Sequence, residues 1–95
     1  MSGDDVGTAD LEKLAAEVSG DGGYQAHLLT PAGKRPCLRI TNRLAAQLGE
    51  YIYAGKADDG QVWFWWGWAE RIAPAADIAD VAYRIKRVLR AVETR

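Results

Sequence analysis

The chain has 95 residues, enough for one domain with a single hydrophobic core and too few for an additional catalytic domain. Apolar residues make up 48% of the sequence and charged residues 26%, close to the averages of folded proteins, which excludes a disordered or collagen-like chain. The net charge of −1 at pH 7 provides no overall field that would steer the protein to nucleic acid or to an anionic membrane.

The location of the protein is predicted from three features of the sequence. The longest apolar run, 62–68, is far shorter than the roughly 20 residues that span a bilayer. Residues 1–7 lack the basic and apolar regions of a signal peptide and are predicted to form a disordered leader before a single domain over 8–95. The single Cys37 cannot form an internal disulfide or a structural zinc site. We therefore expect a cytoplasmic protein with no membrane partner, no metal and no cofactor.

The charges are unevenly distributed along the chain. Residues 1–23 sum to −5, which leaves +4 for the remainder. One basic cluster falls in the last turns of a predicted helix, where cations complement the helix dipole. The other basic cluster lies in the middle of the chain and consists of Lys34, Arg35, Arg39 and Arg43.

The first predicted element is a helix over 9–18. Its apolar residues recur with the spacing of one helical face, and Thr8 is the predicted N-cap. The glycine-rich segment 19–23 ends this helix, because glycine readily adopts the positive φ values of a turn. The residues of the apolar face are Leu11, Leu14, Ala15 and Val18.

A β-hairpin is predicted next. Alternating apolar residues indicate strands over 24–29 and 36–41, separated by a turn that contains Pro31 and Gly33. Asn42 is then predicted to cap a short helix that ends at Gly49. The residues on one side of this short helix are Leu44, Ala45 and Leu48.

The second half of the chain predicts another hairpin and a long helix. Strands over 50–54 and 61–68 flank the turn 55–60, and Gly67 is expected to form a bulge that lets the chain turn out of the sheet. The second of these strands could continue towards Ile72. Pro74 ends the strand region because it has no N–H for the ladder.

The last predicted element is a helix over 77–92 with Asp77 as its N-cap. Its apolar residues form one nearly uninterrupted stripe, which must face the core. The residues of this stripe are Ile78, Val81, Ala82, Ile85, Val88, Leu89 and Val92.

This order predicts an α+β domain of two layers, with an antiparallel sheet of four strands and both long helices on one face. The element order is α-β-β-(short α)-β-β-α. The opposite sheet face has no further element to cover it. The candidate interface or ligand-binding residues on that face are Arg39, Thr41, Tyr51, Tyr53, Trp63 and Trp65.

The segment 62–68 is unusual because it contains all four tryptophans and is apolar on both faces of a strand. One interpretation places this strand in the middle of the sheet, with Trp65 packed under the segment 30–36. Another is an exposed aromatic patch, which on a small protein marks an interaction site, with self-association as the leading case. A small-molecule groove on the same face is a third interpretation.

The sequence predicts no catalytic residues. His27 is the only histidine and has no nucleophile arranged beside it, so we expect a protein that is not an enzyme. Aromatic residues and arginines on an open sheet are also used to bind single-stranded nucleic acid. The strand order, the missing aromatic–glycine signature and the slightly acidic charge argue against that alternative.

The segment 63–74, WFWWGWAERIAP, together with the amphipathic helix after it, resembles small uncharacterised proteins of actinobacteria that are often encoded beside helix-turn-helix regulators. The resemblance covers about residues 36–90 and transfers no active site. It implies a cytoplasmic accessory protein. The expected function is therefore a non-enzymatic protein–protein interaction module, a homodimer or an accessory partner of a cytoplasmic protein. Binding of single-stranded nucleic acid or of a small ligand to the same aromatic residues is the alternative.

Overall fold

A computed structural model describes residues 7–20 and 22–89 of the chain. The first helix, α1, spans Thr8–Ser19 and is confirmed. Its N-cap is Gly7, which is buried and has a φ of 92°, so the prediction of Thr8 as the cap was wrong. A Cβ atom at Gly7 would lie 2.9 Å from the Ala54 Cβ, which explains the need for glycine where α1 begins. Residues 1–6 of the predicted leader lie outside the described residues.

The first hairpin is confirmed. Strands β1 (Tyr24–Leu29) and β2 (Cys37–Asn42) pair antiparallel, with Tyr24 opposite Asn42 and Leu29 opposite Cys37. Alternate β1 residues are half-buried and exposed, as expected for a strand with one covered face.

The predicted short helix after Asn42 was wrong, because the chain turns at once into strand β3 (Ala45–Lys56). The Asn42 side chain holds this turn: its Oδ1 accepts a hydrogen bond from the Leu44 N–H, and its Nδ2 donates to the Leu89 carbonyl, both at 2.8 Å. The apolar positions that suggested a helix fit a strand equally well over so short a run. Leu44 itself is 91% exposed at the tip of the turn.

The predicted sheet of four strands was also wrong, because it has five. Strand β4 (Val62–Trp66) pairs with β3 as predicted, but the chain then turns at 67–70 and returns as β5 (Arg71–Pro74). The predicted bulge at Gly67 was wrong, because the irregularity of the β4–β5 pairing lies between Phe64 and Trp65 and Gly67 belongs to the turn. Trp68 leaves the sheet in this turn, as expected, and stacks on Trp66 with ring centres 4.9 Å apart.

A single turn of 3₁₀-helix, Ala75–Asp77, leads into helix α2 (Ile78–Leu89). Pro74 ends β5, as predicted, and Asp77 is the last residue of the 3₁₀ turn. The end of the predicted final helix, 90–92, lies outside the described residues. In the part of the chain that the structure describes, neither helix is long and apolar enough to cross a membrane.

The α+β class is confirmed. The strands follow chain order across the sheet, β1-β2-β3-β4-β5, and each pair is antiparallel. Buried residues of four strands meet the apolar stripes of both helices in one core; those of the strands are Leu38, Ile40, Ile52, Ala54, Phe64, Trp66, Ile72 and Ala73. The fully buried larger side chains of this core are Phe64, Leu11, Leu14, Leu38, Ile40, Ile52, Ile85, Val18 and Val81.

Candidate interaction surface

The sheet face opposite the helices, called here the open face, carries all six candidate residues. The strand register places them in neighbouring positions: Arg39 lies opposite Tyr51, and Tyr53 lies opposite Trp65. Thr41 lies opposite Gly49, and Trp63 lies opposite Gly55. Tyr51 is 43% exposed, and the other five are half-buried.

Arginine side chains cover the aromatic rings of the open face. The guanidinium carbon of Arg39 lies 4.8 Å from the centre of the Tyr51 ring, and that of Arg35 lies 5.5 Å from the Tyr53 ring. The Arg71 guanidinium carbon lies 4.8 Å from the Trp63 ring and 6.0 Å from the Trp65 ring. Side chains therefore cover part of this face, where the sequence predicts no further helix or strand. These three arginines and four rings are called the arginine–aromatic face below.

Two of the three arginines, Arg71 and Arg35, were not among the candidate residues predicted from the sequence. Arg71 was missed because β5 was not recognised; an antiparallel return of the chain would have placed it beside Trp65. Arg35 lies in the segment 30–36, which was considered as a cover for Trp65. The structure places its guanidinium over the neighbouring Tyr53.

Glycines on the open face leave room for the guanidinium groups. A Cβ atom at Gly49 would lie 2.8 Å from Arg39 Nη2, and one at Gly55 would lie 2.8 Å from Arg35 Nη2. Both positions therefore need glycine for the arginines to lie where they do. Arg35 Nη2 also donates a hydrogen bond of 3.0 Å to the Ala54 carbonyl.

Hydrogen bonds fix the orientation of both tryptophans. Trp65 Nε1 donates to the Gly55 carbonyl at 3.3 Å, and Trp63 Nε1 donates to Asp59 Oδ2 at 3.2 Å. The hydrogen bond from the Gln61 backbone N–H, followed by that from Trp63, lowers the pKa of the Asp59 carboxyl. Asp59 is therefore an ionised acceptor at neutral pH.

Tyr53 lies above a buried thiol. Cys37 is 6% exposed, and its side chain forms a hydrogen bond with that of Tyr53. Partial burial, followed by the neighbouring Cys37, raises the pKa of the Tyr53 phenol. The phenol stays neutral at pH 7, so the charge above these rings comes from the arginines.

Among the described residues, none of the three guanidinium groups has a carboxylate within 4.0 Å, although the charge of Arg71 acts on the Asp59 carboxylate and helps to lower its pKa. Among residues 7–20 and 22–89, the one ion pair within 4.0 Å joins Asp80 to Arg84 on the exposed side of α2. A guanidinium group has five N–H donors in one plane, which can bind the two oxygens of a carboxylate. The arginine–aromatic face is therefore prepared to bind an anion.

No family model, no curated protein and no solved structure matches this chain. The resemblance to actinobacterial proteins therefore stays a prediction, and the function must be argued from the geometry of the open face. Among the described residues, no group of three or more His, Cys, Asp or Glu side chains could hold a metal ion.

Proposed function

We propose that the protein is a non-enzymatic interaction module that binds an acidic segment of another protein through its arginine–aromatic face. The observation that carries this proposal is the set of three guanidinium groups that lie over Tyr and Trp rings without a carboxylate within 4.0 Å among the described residues. Arg, Trp and Tyr are the residues that dominate the binding energy of protein interfaces.

The same charges favour a partner of opposite sign over a second copy of the chain. A two-fold dimer through this face would place Arg35, Arg39 and Arg71 against the same three residues of the other subunit. Like charges opposed in a desolvated interface cost several kcal/mol. Self-association through the open face is thus the less favoured form of the interaction that the sequence predicts.

A protein partner is also favoured over single-stranded nucleic acid. Three phosphate contacts would give a slope of affinity against salt of only about −2 on logarithmic axes, which implies weak binding at physiological salt.

We place the partner in the cytoplasm. The described part of the chain has one cysteine, Cys37, and its thiol is free and buried. A free thiol is typical of a reducing compartment, where disulfides are rare.

Fluorescence anisotropy with a labelled peptide that contains Glu and Phe side chains tests this function. A second peptide with Gln in place of every Glu is the control for charge, and a labelled oligothymidine tests nucleic acid. We expect the acidic peptide to bind at least about tenfold more tightly than either control, with an affinity that falls as salt rises. Equal affinity for the Gln peptide, or tighter binding of oligothymidine, would overturn the proposal.

Charge reversal at matched positions locates the binding surface. Arg39→Glu with Arg71→Glu reverses two charges on the open face, whereas Arg84→Glu with Arg87→Glu makes the same change on the exposed side of α2. The first pair should weaken binding of the acidic peptide by about a hundredfold, because two attractive contacts become repulsive. The second pair should change it by less than about threefold. Equal losses in both pairs would mean that only net charge matters.

A further inference from the structure

A groove of about 470 Å³ opens beside Arg35 on the arginine–aromatic face. Tyr53 and Trp65, neighbours across β3 and β4, form part of its lining. Two cationic side chains, Arg35 and Lys56, line it as well. Its volume falls in the range of small-molecule sites, and it belongs to a different part of the face from Arg39, which does not line it.

Two glycines flank the pair of rings and keep the groove open. Gly55 and Gly67 both belong to the lining, and neither has a side chain that would fill the space beside Tyr53 and Trp65. A Cβ atom at Gly55 would lie 2.8 Å from Arg35 Nη2 and 3.8 Å from Trp65 Nε1. A larger residue there would displace the guanidinium from the groove.

The lining can recognise a ring and a negative charge, and little else. None of the described lining residues is Asp, Glu, Asn, Gln, Ser or Thr. The Tyr53 hydroxyl forms a hydrogen bond with Cys37. The nearby Ala54 and Gly55 carbonyls are already occupied, by Arg35 Nη2 and by Trp65 Nε1. A nucleobase needs donors and acceptors along its edge to be distinguished, so the groove is poorly equipped to read one.

We propose that this groove binds a planar apolar ring that carries a carboxylate. The ring packs against Trp65 and Tyr53, where it replaces the guanidinium contacts at 6.0 Å and 5.5 Å, and the carboxylate accepts hydrogen bonds from Arg35, assisted by the charge of Lys56. Arg35 donates one of its five N–H groups to the Ala54 carbonyl, which leaves donors for a second acceptor without moving the side chain far. Such a ligand is either a free aryl acid or the carboxyl-terminal aromatic residue of a protein.

Proton–nitrogen correlation NMR tests this site, because the Trp65 indole N–H reports on the groove. Titration with naphthoate, a free aryl acid, should shift the Trp65 indole signal along a saturable curve. Naphthamide, which keeps the ring without the charge, and acetate, which keeps the charge without the ring, should each bind at least about tenfold more weakly. N-acetyltryptophan represents the carboxyl-terminal aromatic residue of a protein. Tighter binding of naphthoate would identify the ligand as a free aryl acid, and tighter binding of N-acetyltryptophan would identify it as a protein carboxyl terminus.

Two matched variants separate this site from the wider arginine–aromatic face. Arg35→Gln should weaken naphthoate binding at least about tenfold, whereas Arg39→Gln, the same change above Tyr51, should leave it within about twofold. Lys56→Gln is the second groove variant, for use if Arg35→Gln does not fold. Three results would each overturn the proposed binding site. They are the absence of a saturable shift with both acids, equal affinities for naphthamide and naphthoate, and equal losses of naphthoate affinity in Arg35→Gln and Arg39→Gln.

The acidic-peptide experiment and the naphthoate experiment test separate proposals, so either proposal can be rejected without the other. Loss of peptide binding in Arg39→Glu with Arg71→Glu concerns the wider face, whereas the naphthoate experiment depends on Arg35 and Lys56. Naphthoate binding without peptide binding would retain the groove and reject the acidic protein partner. Peptide binding without naphthoate binding would retain the acidic protein partner and reject the groove as a ligand site.

Discussion

The two faces of the sheet are built from different kinds of contact, and neighbouring residues of β4 show the difference. Phe64 points towards the helices and is completely buried, whereas Trp63 and Trp65 on either side of it are half-buried beneath arginine side chains. The helix-covered face is closed by aliphatic packing from α1 and α2. Within the described residues, guanidinium groups cover the rings of the open face, and each could exchange its ring contact for a bound anion.

This difference separates stability from recognition. Removing buried apolar area from water supplies about 25 cal/mol per Å², so the helix-covered face provides most of the folding free energy. A cation–π contact at an exposed site contributes only about 0.5–1 kcal/mol. Substitutions on the two faces should therefore have unequal effects on stability.

Ile85→Asp should abolish cooperative folding. Ile85 is fully buried in the middle of α2, and an unpaired buried carboxylate costs several kcal/mol against a total stability of about 5–15 kcal/mol. Val88→Asp is the matched control, because Val88 lies on the same helix and is 53% exposed. Thermal unfolding followed by circular dichroism should show a normal transition for the control alone. A cooperative transition near that of the wild type in Ile85→Asp would show that α2 does not cover the core.

Phe64→Ala and Trp63→Ala compare the two faces on adjacent residues. Phe64→Ala should cost about 3–5 kcal/mol, because it leaves a cavity among well-packed core residues. Trp63→Ala removes a larger ring but should cost only about 1–2 kcal/mol, because the ring is half-buried. Urea denaturation measures both changes. An equal or greater cost at Trp63 would mean that the open face is part of the core.

Asn42→Ala tests the one buried polar side chain among the described residues. The change leaves the Leu44 N–H and the Leu89 carbonyl without their hydrogen bonds to Asn42 and should cost about 1–3 kcal/mol. Gln47→Ala, on the exposed part of β3, serves as the control and should change stability by less than about 0.5 kcal/mol. If both variants unfold at the wild-type urea concentration, Asn42 does not hold the β2–β3 turn against α2.

Tyr53→Phe should change only the alkaline limb of the stability profile. The pKa of Tyr53 is raised above its ordinary value of 10.0, so above that pH the folded state holds the phenolic proton more tightly than the unfolded state. This contribution is complete below about pH 10 and is lost as pH rises through the raised pKa. Urea denaturation between pH 9 and 11 should show a shallower decline for Tyr53→Phe. Identical declines in the two proteins would contradict the assigned pKa.

The elements with long, regular patterns were predictable from the sequence. Both long helices and the β1–β2 hairpin have apolar spacings that fit a single period, and the structure contains them with small changes at the ends. The errors fell where the local pattern allowed two structures. The spacing of Leu44, Ala45 and Leu48 suits a helix turn as well as a strand. The strand is stabilised by contacts that local spacing does not specify, namely the pairing of β3 with β2 and the hydrogen bond from Asn42 to the distant Leu89.

The aromatic residues of the candidate face were predictable from the sequence, whereas two of its three arginines, Arg35 and Arg71, were not predicted. Period-two alternation places Tyr51, Tyr53, Trp63 and Trp65 on one side of adjacent strands, as the register confirms. Whether an arginine covers a ring depends on where loops and edge strands return, which local spacing does not specify. Gly49 and Gly55 held the relevant signal, since glycine within a strand often marks the close approach of another group.

The division between the two faces is tested most directly by measuring stability and binding in one double variant, Arg39→Gln with Arg71→Gln. We expect urea denaturation to show a loss of no more than about 1–2 kcal/mol, since only exposed cation–π contacts are removed. Anisotropy should show at least about a tenfold loss of affinity for the acidic peptide. A loss of stability like that of Phe64→Ala, with unchanged affinity for the peptide, would contradict the account, because the arginines would then serve the fold and not a partner.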